Sequence, residues 1–596
     1  MQPKRVPELV RGSAYFGPAI LLMMLVFAYP LVNVLLYAFK REGKFVGTEN
    51  FQALFKDSIF YASLLNNFKL LLLVPLILTL SLVIAIVINE KPRGWKIHRF
   101  AILIPFVLPI PVSAIAIAAI VAYRGGLNLI LTKIGLDFLV IDWLGSGKSA
   151  FFIICFALIW REIGFCSLLI FSRLGNIDEE IVEACELDGA GWWKRLRYAI
   201  LPQISGVLLT IAVLEIITVF FYTFEWVFVL TRGGPASTTM VVDLYIFQQA
   251  VQFRSIGIAT AASSSILMIM VIAFLFYKFI KGVNQRRQIQ RSNILSNEVT
   301  SSTYIKSELI KKHGKPKNLF VEKIKAVVAT FSRQSLLWIF TLIFCIPLYF
   351  IFVNAFKTTT EYGNNPWNFS LHPTFNAFKE VFQRGEIAIW FRNSVVVSLG
   401  SVLLITVTGI LASYYASTGP RFANKNFRRL FIPLIAIPPI IIIIPLFVLF
   451  SNLGLVNTFS GAIVVFSGLL LPFSCYLFLG FFDTFPREII EAASVDGASK
   501  LKTLTRVILP SAKPVIATQF VINMLYVWNS LLIVLIFLQG NDRRTLAAGI
   551  TVFQGRFFRD TPLVMAASIL VILPMFIAYL ISQRFYRTGL IAGAVK

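Results

Sequence analysis

The chain has 596 residues, 57% of them hydrophobic and only 14% charged, with a formal net charge of +26. Soluble domains are about half apolar and a quarter charged, so this composition excludes an ordinary water-soluble globular protein and places the chain in a bilayer. The basic residues carry no interleaved aromatic or base-reading features, so the charge points to a membrane rim and to no nucleic acid.

Apolar runs of about 20 residues, long enough for a helix to cross a hydrocarbon core roughly 30 Å thick, occur near 14–39, 68–89, 100–122, 150–172, 206–230 and 257–280. The first is too long for a signal peptide and lacks a small-residue cleavage site, so it is expected to be retained. Before the fourth run, Gly145-Ser146-Gly147-Lys148-Ser149 copies the end of a phosphate-binding loop. Asp142 stands where the first Gly is needed and no strand precedes it, so no ATP site is expected there.

Arg161 and Glu162 lie midway along the fourth run, and Glu215 lies within the fifth. An ionisable residue at that depth is costly unless it faces a cavity or a partner, which makes it a functional candidate. Helical spacing puts Arg161 with Phe165 on one side, and Glu215 with Val219, Tyr222 and Thr223 on one stripe. Phe165, Phe220 and Tyr222 could offer aromatic faces to a sugar ring, and Glu162, Glu215 and Thr223 could bind its hydroxyls. Arg161 suits a carboxylate or phosphate on an acidic substrate. The alternative is an internal ion pair, Arg161 with Glu215 for instance, holding two helices in register.

Between the fourth and fifth runs, within 176–203, comes Glu183-Ala184-Cys185-x-x-Asp188-Gly189-Ala190 and then Ile200-Leu201-Pro202. The same grammar returns 308 positions later, within 484–511, as Glu491-Ala492-Ala493-x-x-Asp496-Gly497-Ala498 and Ile508-Leu509-Pro510. Each copy predicts a short amphipathic helix, a glycine turn and a second helix ending at Leu-Pro. Asp178 suits the positive end of the first helix, and Pro486 suits the first position of its counterpart. The small residues Ala184, Cys185, Ala492 and Ala493 let a partner approach closely, and Gly189 and Gly497 permit a tight turn. One copy alone would read as an interfacial helix, but two at identical internal spacing argue for a docking element.

Residues 281–335 are basic and rich in Ser, Thr and Asn, which predicts a cytoplasmic linker beside anionic lipid, with 319–333 an interfacial helix leading into the next span. Six more apolar runs follow near 336–356, 394–417, 430–450, 459–482, 515–538 and 562–582. Pro438-Pro439 and Pro445 in the ninth break its backbone ladder, as a hinge or as a kink. Tyr476, Asn523, Tyr526 and Asn529 are further polar candidates for a path between the halves. With both termini inside, inner loops hold roughly 36 of the 55 Lys+Arg and outer loops about 17. Cys155, Cys166, Cys185, Cys345 and Cys475 show no ligand or disulfide spacing, and no metal is expected.

The doubled loop resembles the cytoplasmic EAA loop by which membrane subunits of binding-protein-dependent ABC importers grip their ATPase. Leu230-Thr231-Arg232-Gly233-Gly234-Pro235, with Phe45-Val46-Gly47-x-x-Asn50-Phe51 and Trp143-Leu144, resembles the first permease of carbohydrate-uptake, maltose-type importers. Asn393-Ser394, Leu453-Gly454-Leu455-x-Asn457-Thr458, Trp528-Asn529 and the tail from Gly589 to Lys596 resemble the second. Cys185 in place of the usual Ala and the lack of a large external insertion are departures, and the latter weakens any transfer of maltose specificity.

The resemblance implies an all-α transmembrane protein of about twelve helices, two six-helix permease repeats related by pseudo-twofold symmetry. Residues 1–280 would form the first half, 281–335 the linker and 336–596 the second half. It implies no enzyme chemistry and no cofactor on this chain, with ATP and Mg on two partner ABC ATPase domains. An extracytoplasmic solute-binding protein would deliver a sugar or oligosaccharide, moved by alternating access across a bacterial or archaeal cytoplasmic membrane. The resemblance places ATPase coupling on Glu183, Ala184, Cys185, Asp188, Gly189, Glu491, Ala492, Ala493, Asp496 and Gly497. It also puts sugar contacts on the stretches around Arg161 and Glu215. Rival expectations are another cargo (glycerol phosphate, phosphate, iron or an amino acid), an ion-coupled secondary transporter, or a membrane scaffold.

Overall fold

The computed structural model describes residues 8–177, 179–275, 278, 319–419, 421–556 and 560–594. Helices dominate because no water competes for backbone hydrogen bonds in a bilayer, so each crossing segment must satisfy its own. In the first half they are α1 (Tyr15–Ala38), α2 (Ser58–Asn89), α3 (Trp95–Val107), α4 (Ile110–Val121), α5 (Gly147–Leu174), α6 (Glu179–Leu187), α7 (Leu201–Phe221), α8 (Phe224–Leu230) and α9 (Ile256–Leu275). In the second they are α10 (Leu319–Ala355), α11 (Glu386–Thr418), α12 (Arg421–Phe431), α13 (Pro439–Asn452), α14 (Phe459–Thr484), α15 (Arg487–Val495), α16 (Lys513–Asn529), α17 (Leu532–Phe537), α18 (Leu546–Arg556) and α19 (Thr561–Ala594). Among the described residues ten helices are long and apolar enough to cross a membrane, or up to twelve if two bent pairs each count as one. The linker expected at 281–335 lies outside the described residues up to 318, and its remainder runs from Leu319 straight into α10.

Prolines set the breaks. The third run is two helices, α3 and α4, because Pro109 and the Leu108 before it are extended. In the ninth run Pro438 is likewise extended, and the segments Asn424–Ala436 and Pro439–Asn452 meet at 100°. Pro445 sits inside α13 and interrupts nothing.

Each half repeats one packing plan: α2 lies along α5 as α11 lies along α14, and α7 crosses both members of the first pair as α16 crosses both of the second. The first helix of each half also reaches across. α1 packs on α11, α13 and α14 of the other half, while α10 packs on α3 and α4 as well as on its own α19. Tyr15 stacks on Tyr415 at 5.7 Å, and a Cβ on Gly468 of α14 would fall 2.3 Å from Val26. On the other side of the molecule Thr341 of α10 bonds the His98 ring of α3 at 2.8 Å, Arg333 pairs with Glu90, and Trp367 donates to the Gly126 carbonyl at 2.8 Å. Both halves are thereby stitched into one core.

That crossing is testable in one helix. Gly468→Val forces overpacking against Val26, worth about 1–3 kcal/mol, and should lower the thermal unfolding midpoint of the detergent-solubilised protein. Gly480→Val, where a Cβ meets nothing within 4 Å, should leave it unchanged.

Candidate transport path and coupling loops

The repeated loops fold alike. Gly189 (φ +70°) and Gly497 (φ +76°) adopt the left-handed conformation just after α6 and α15. The next residue then turns back: Ala190 N–H donates to the Cys185 carbonyl at 3.0 Å, and Ala498 N–H to the Ala493 carbonyl at 2.9 Å. This pattern caps a helix C-terminus and requires a residue without a Cβ penalty. Glu183, Ala184, Asp188 and Gly189 are exposed, as are Glu491, Ala492, Asp496 and Gly497, while Cys185 and Ala493 are half-buried. Leu187 and Val495, at matched positions, are 90% and 87% exposed.

Two details differ from the sequence expectation. Pro486 flanks α15 as its N-cap, with the helix starting at Arg487; Asp178 lies outside the described residues. The second helix of each loop does not end at Leu-Pro. In the first copy it continues as one helix, Trp192–Phe221, through a π-turn at Leu196–Ile200; in the second, Lys500–Ser511 meets Lys513–Asn529 at 78°. The second copy carries an added proline, Pro514, just after the bend at Ala512, where the first copy has only Pro202.

Inside the bundle the candidates separate. Arg161 pairs with its neighbour Glu162 at 2.8 Å, with Glu162 almost fully buried, so the Arg161–Glu215 pairing considered from sequence is not the one that forms. Arg161 also lies 5.0 Å from the centroid of Phe106, on whose ring Phe165 stacks at 4.5 Å. Glu215 receives a thiol hydrogen bond from Cys166 at 3.0 Å on one oxygen, and its second oxygen is buried without a hydrogen-bond partner. Val219 is fully buried and Phe220 packs edge-on against Phe68. The Thr223 hydroxyl faces Asp243 at 3.5 Å. In the second half Asn523 donates to Ser474 at 2.7 Å, leaving its carbonyl oxygen unpartnered, as is that of Asn529; the amide nitrogen of Gln519 and the indole N–H of Trp528 are unpartnered too. Tyr476 stands apart, about half exposed on α14.

The fifth and eleventh runs are each two helices rather than one. α7 gives way to α8 at Tyr222-Thr223, and α16 to α17 at Ser530-Leu531. The breaks face each other. Tyr222 flanks the first break and Tyr526 precedes the second, both half-buried. Glu225 accepts from the Leu531 amide at 2.8 Å. Sequence reasoning missed Glu225 because it sits at the end of an apolar run, where a charge reads as an interfacial residue.

Sequence reasoning also missed a doubled clamp on the far side of the bundle from the repeated loops. Asn66 donates to the carbonyls of Thr238 (2.8 Å) and Met240 (2.9 Å), and Asn67 accepts from Val242 N–H at 3.0 Å. Asn393 donates to the carbonyls of Asp542 (2.8 Å) and Arg544 (2.9 Å), and Ser394 accepts from Leu546 N–H at 2.8 Å. The clamp ties α2 and α11 to the loops that follow α8 and α17. Its signal was legible as Asn66-Asn67 opposite Asn393-Ser394 at equal places in the two repeats.

Two like helical halves, each with a capped, exposed loop on one side and a broken path helix within, define a multi-pass membrane permease built as a fused pair. The chain belongs to the family described as binding-protein-dependent transport system inner membrane component, whose model matches residues 77–288 and again 405–588. It is similar to the melibiose/raffinose/stachyose import permease protein MelC of Bacillus subtilis (32% identical over 252 residues, 42% of this chain and 91% of the relative). It is also similar to the diacetylchitobiose uptake system permease protein NgcG of Streptomyces coelicolor (27% over 268 residues, 44% and 86%). A solved bacterial ABC transporter involved in the import of the acidic polysaccharide alginate matches at 23% identity and a TM-score of 0.42, over 46% of this chain and 96% of that one. The two curated relatives each cover under half of this chain, and the family model matches it twice: one polypeptide holds two permeases. It is a transport subunit and not an enzyme.

Asn393→Ala strands two carbonyls and should cost about 1–3 kcal/mol if both stay dry. Limited proteolysis should then cut the loop at 540–545 faster than in the parent, and Asn66→Ala should do the same at 236–241.

Proposed function

We propose that this chain is a fused transmembrane permease of an ATP-driven importer for a sugar or oligosaccharide, with both termini in the cytoplasm of a bacterium or archaeon. Residues 1–280 and 336–596 would be its halves and 281–335 the tether between them. The observation that carries the reading is the pair of loops with the same cap, the same exposed acidic and small residues, and the same nine-tenths exposed apolar tip. Nothing else in the described chain covers Leu187 or Val495, and two ATPase domains, holding ATP and Mg, are the partners that two such knobs fit. A hydrophobic tip beside a glycine turn fills a pocket closely, and the rigid helix behind it moves when that pocket moves. An extracytoplasmic binding protein would deliver the cargo to the opposite side.

The carbohydrate class is supported by the unpartnered groups of the path. Glu215 and Asn529 offer acceptors, Gln519 and Trp528 donors, and Asn523 another acceptor. Sugar hydroxyls both donate and accept, so one ligand can satisfy such a mixed set. The relatives named for melibiose, raffinose, stachyose and diacetylchitobiose uptake point the same way. Phe165 and Tyr222 would offer aromatic faces, with Val219, Phe220, Thr223, Tyr526 and Tyr476 as the further candidates along the path.

The test is uptake of labelled oligosaccharides into vesicles holding this chain, its ATPase and a solute-binding protein. Uptake should require ATP. Glu215→Gln should reduce it roughly tenfold or more, the cost of one hydrogen bond to a charged group, with the ATPase still co-purifying. Unchanged uptake would remove Glu215 from the site, and uptake without ATP would overturn the proposal.

A further inference from the structure

A cavity of about 380 Å³ opens between the halves, lined by Phe228 and Arg232 from the first and by Leu535, Thr551, Val552 and Gly555 from the second. Its volume is in the range, roughly 300–1,000 Å³, that holds a small-molecule ligand. Phe228 lies one helical turn beyond Glu225 along α8, with Arg232 about a turn further, and Leu535 lies one turn beyond Leu531 along α17. Both helices run away from the repeated loops. The cavity is therefore on the side from which cargo would arrive, and the Glu225 contact with the Leu531 amide lies just beneath it.

We propose that Glu225 is a latch: its carboxylate, held by the Leu531 backbone amide of the opposite half, closes the floor of this entry vestibule, and the path opens only when it lets go. The proposal rests on the importer reading for its direction and its energy source. The chemistry explains why the latch holds. Ending α16 at Asn529 leaves the first amides of α17 without helical partners, and within a bilayer they must find an acceptor. A carboxylate is the strongest acceptor a side chain offers. It comes from the other half, so the two halves cannot separate at this level without stranding the Leu531 amide and a part-buried carboxylate. Glu225 is thus a positioning residue for the transport cycle and not a cargo ligand.

The experiment uses the full chain with its co-purified ATPase in lipid nanodiscs, in parent, Glu225→Ala and Glu225→Gln forms. One readout is ATP hydrolysis without binding protein or cargo. The other, in sealed vesicles, is labelling of an Asn523→Cys reporter, one turn or more below the latch, by a membrane-impermeant maleimide added on the vestibule side and read by mass spectrometry. Glu225→Ala should raise both roughly tenfold, the population shift that follows from losing a charge-assisted hydrogen bond. Glu225→Gln, which keeps one acceptor oxygen, should fall between. If both variants match the parent in hydrolysis and reporter labelling, the latch is overturned. If Glu225→Ala does not assemble, Glu225→Gln decides alone. A parent complex that contains no ATPase would refute the importer reading instead, and the labelling arm would still judge the latch.

Discussion

Every backbone amide inside a bilayer must find a partner within the protein, and this chain meets that requirement at a central helix break by borrowing from the opposite half. The break after α16 exposes the Leu531 amide, which donates to Glu225 on the far side of the seam at 2.8 Å. A straight helix would need no such help, and a bundle of straight helices would have nothing at its centre that could open. The central seam is polar where its backbone is interrupted.

The rest of the architecture holds that seam under control. The exchange of first helices, with α1 lying on the second half and α10 on the first, keeps the halves together at their periphery while the centre can part. The doubled Asn clamp fixes the far-side loops to α2 and α11, so that movement of one carries the other. The repeats are not identical in their levers. The first loop leads into a continuous helix, and the second meets its path helix through a 78° bend.

Much of this was legible in the sequence. Spans, the repeat and the glycine turns follow from apolar length and from glycines that permit a left-handed turn, and the break at Pro438 was expected; the one at Pro109 was not, and Pro445, expected to interrupt its helix, sits inside it. What was not legible depended on distance. Glu225 is an unremarkable charge until Leu531, some three hundred residues on, arrives beside it. Arg161 has two acidic candidates at helical reach, and only packing chose Glu162 over Glu215 by giving the latter a thiol. The breaks at 222–223 and 530–531 carry no proline or glycine, so periodicity ran straight through them. Asn66 and Asn67 carry no local signal of the carbonyls at 238 and 240 that they hold, which lie more than 170 residues on.

The most direct measurement is native mass spectrometry of the complex released from its own membrane in mild detergent. One copy of this chain with two ATPase domains, reduced to the bare chain when Gly189 and Gly497 are both replaced by Val, is the expected result. A complex that transports sugar with no ATPase attached, or one whose ATPases stay bound to the doubly substituted chain, would contradict it.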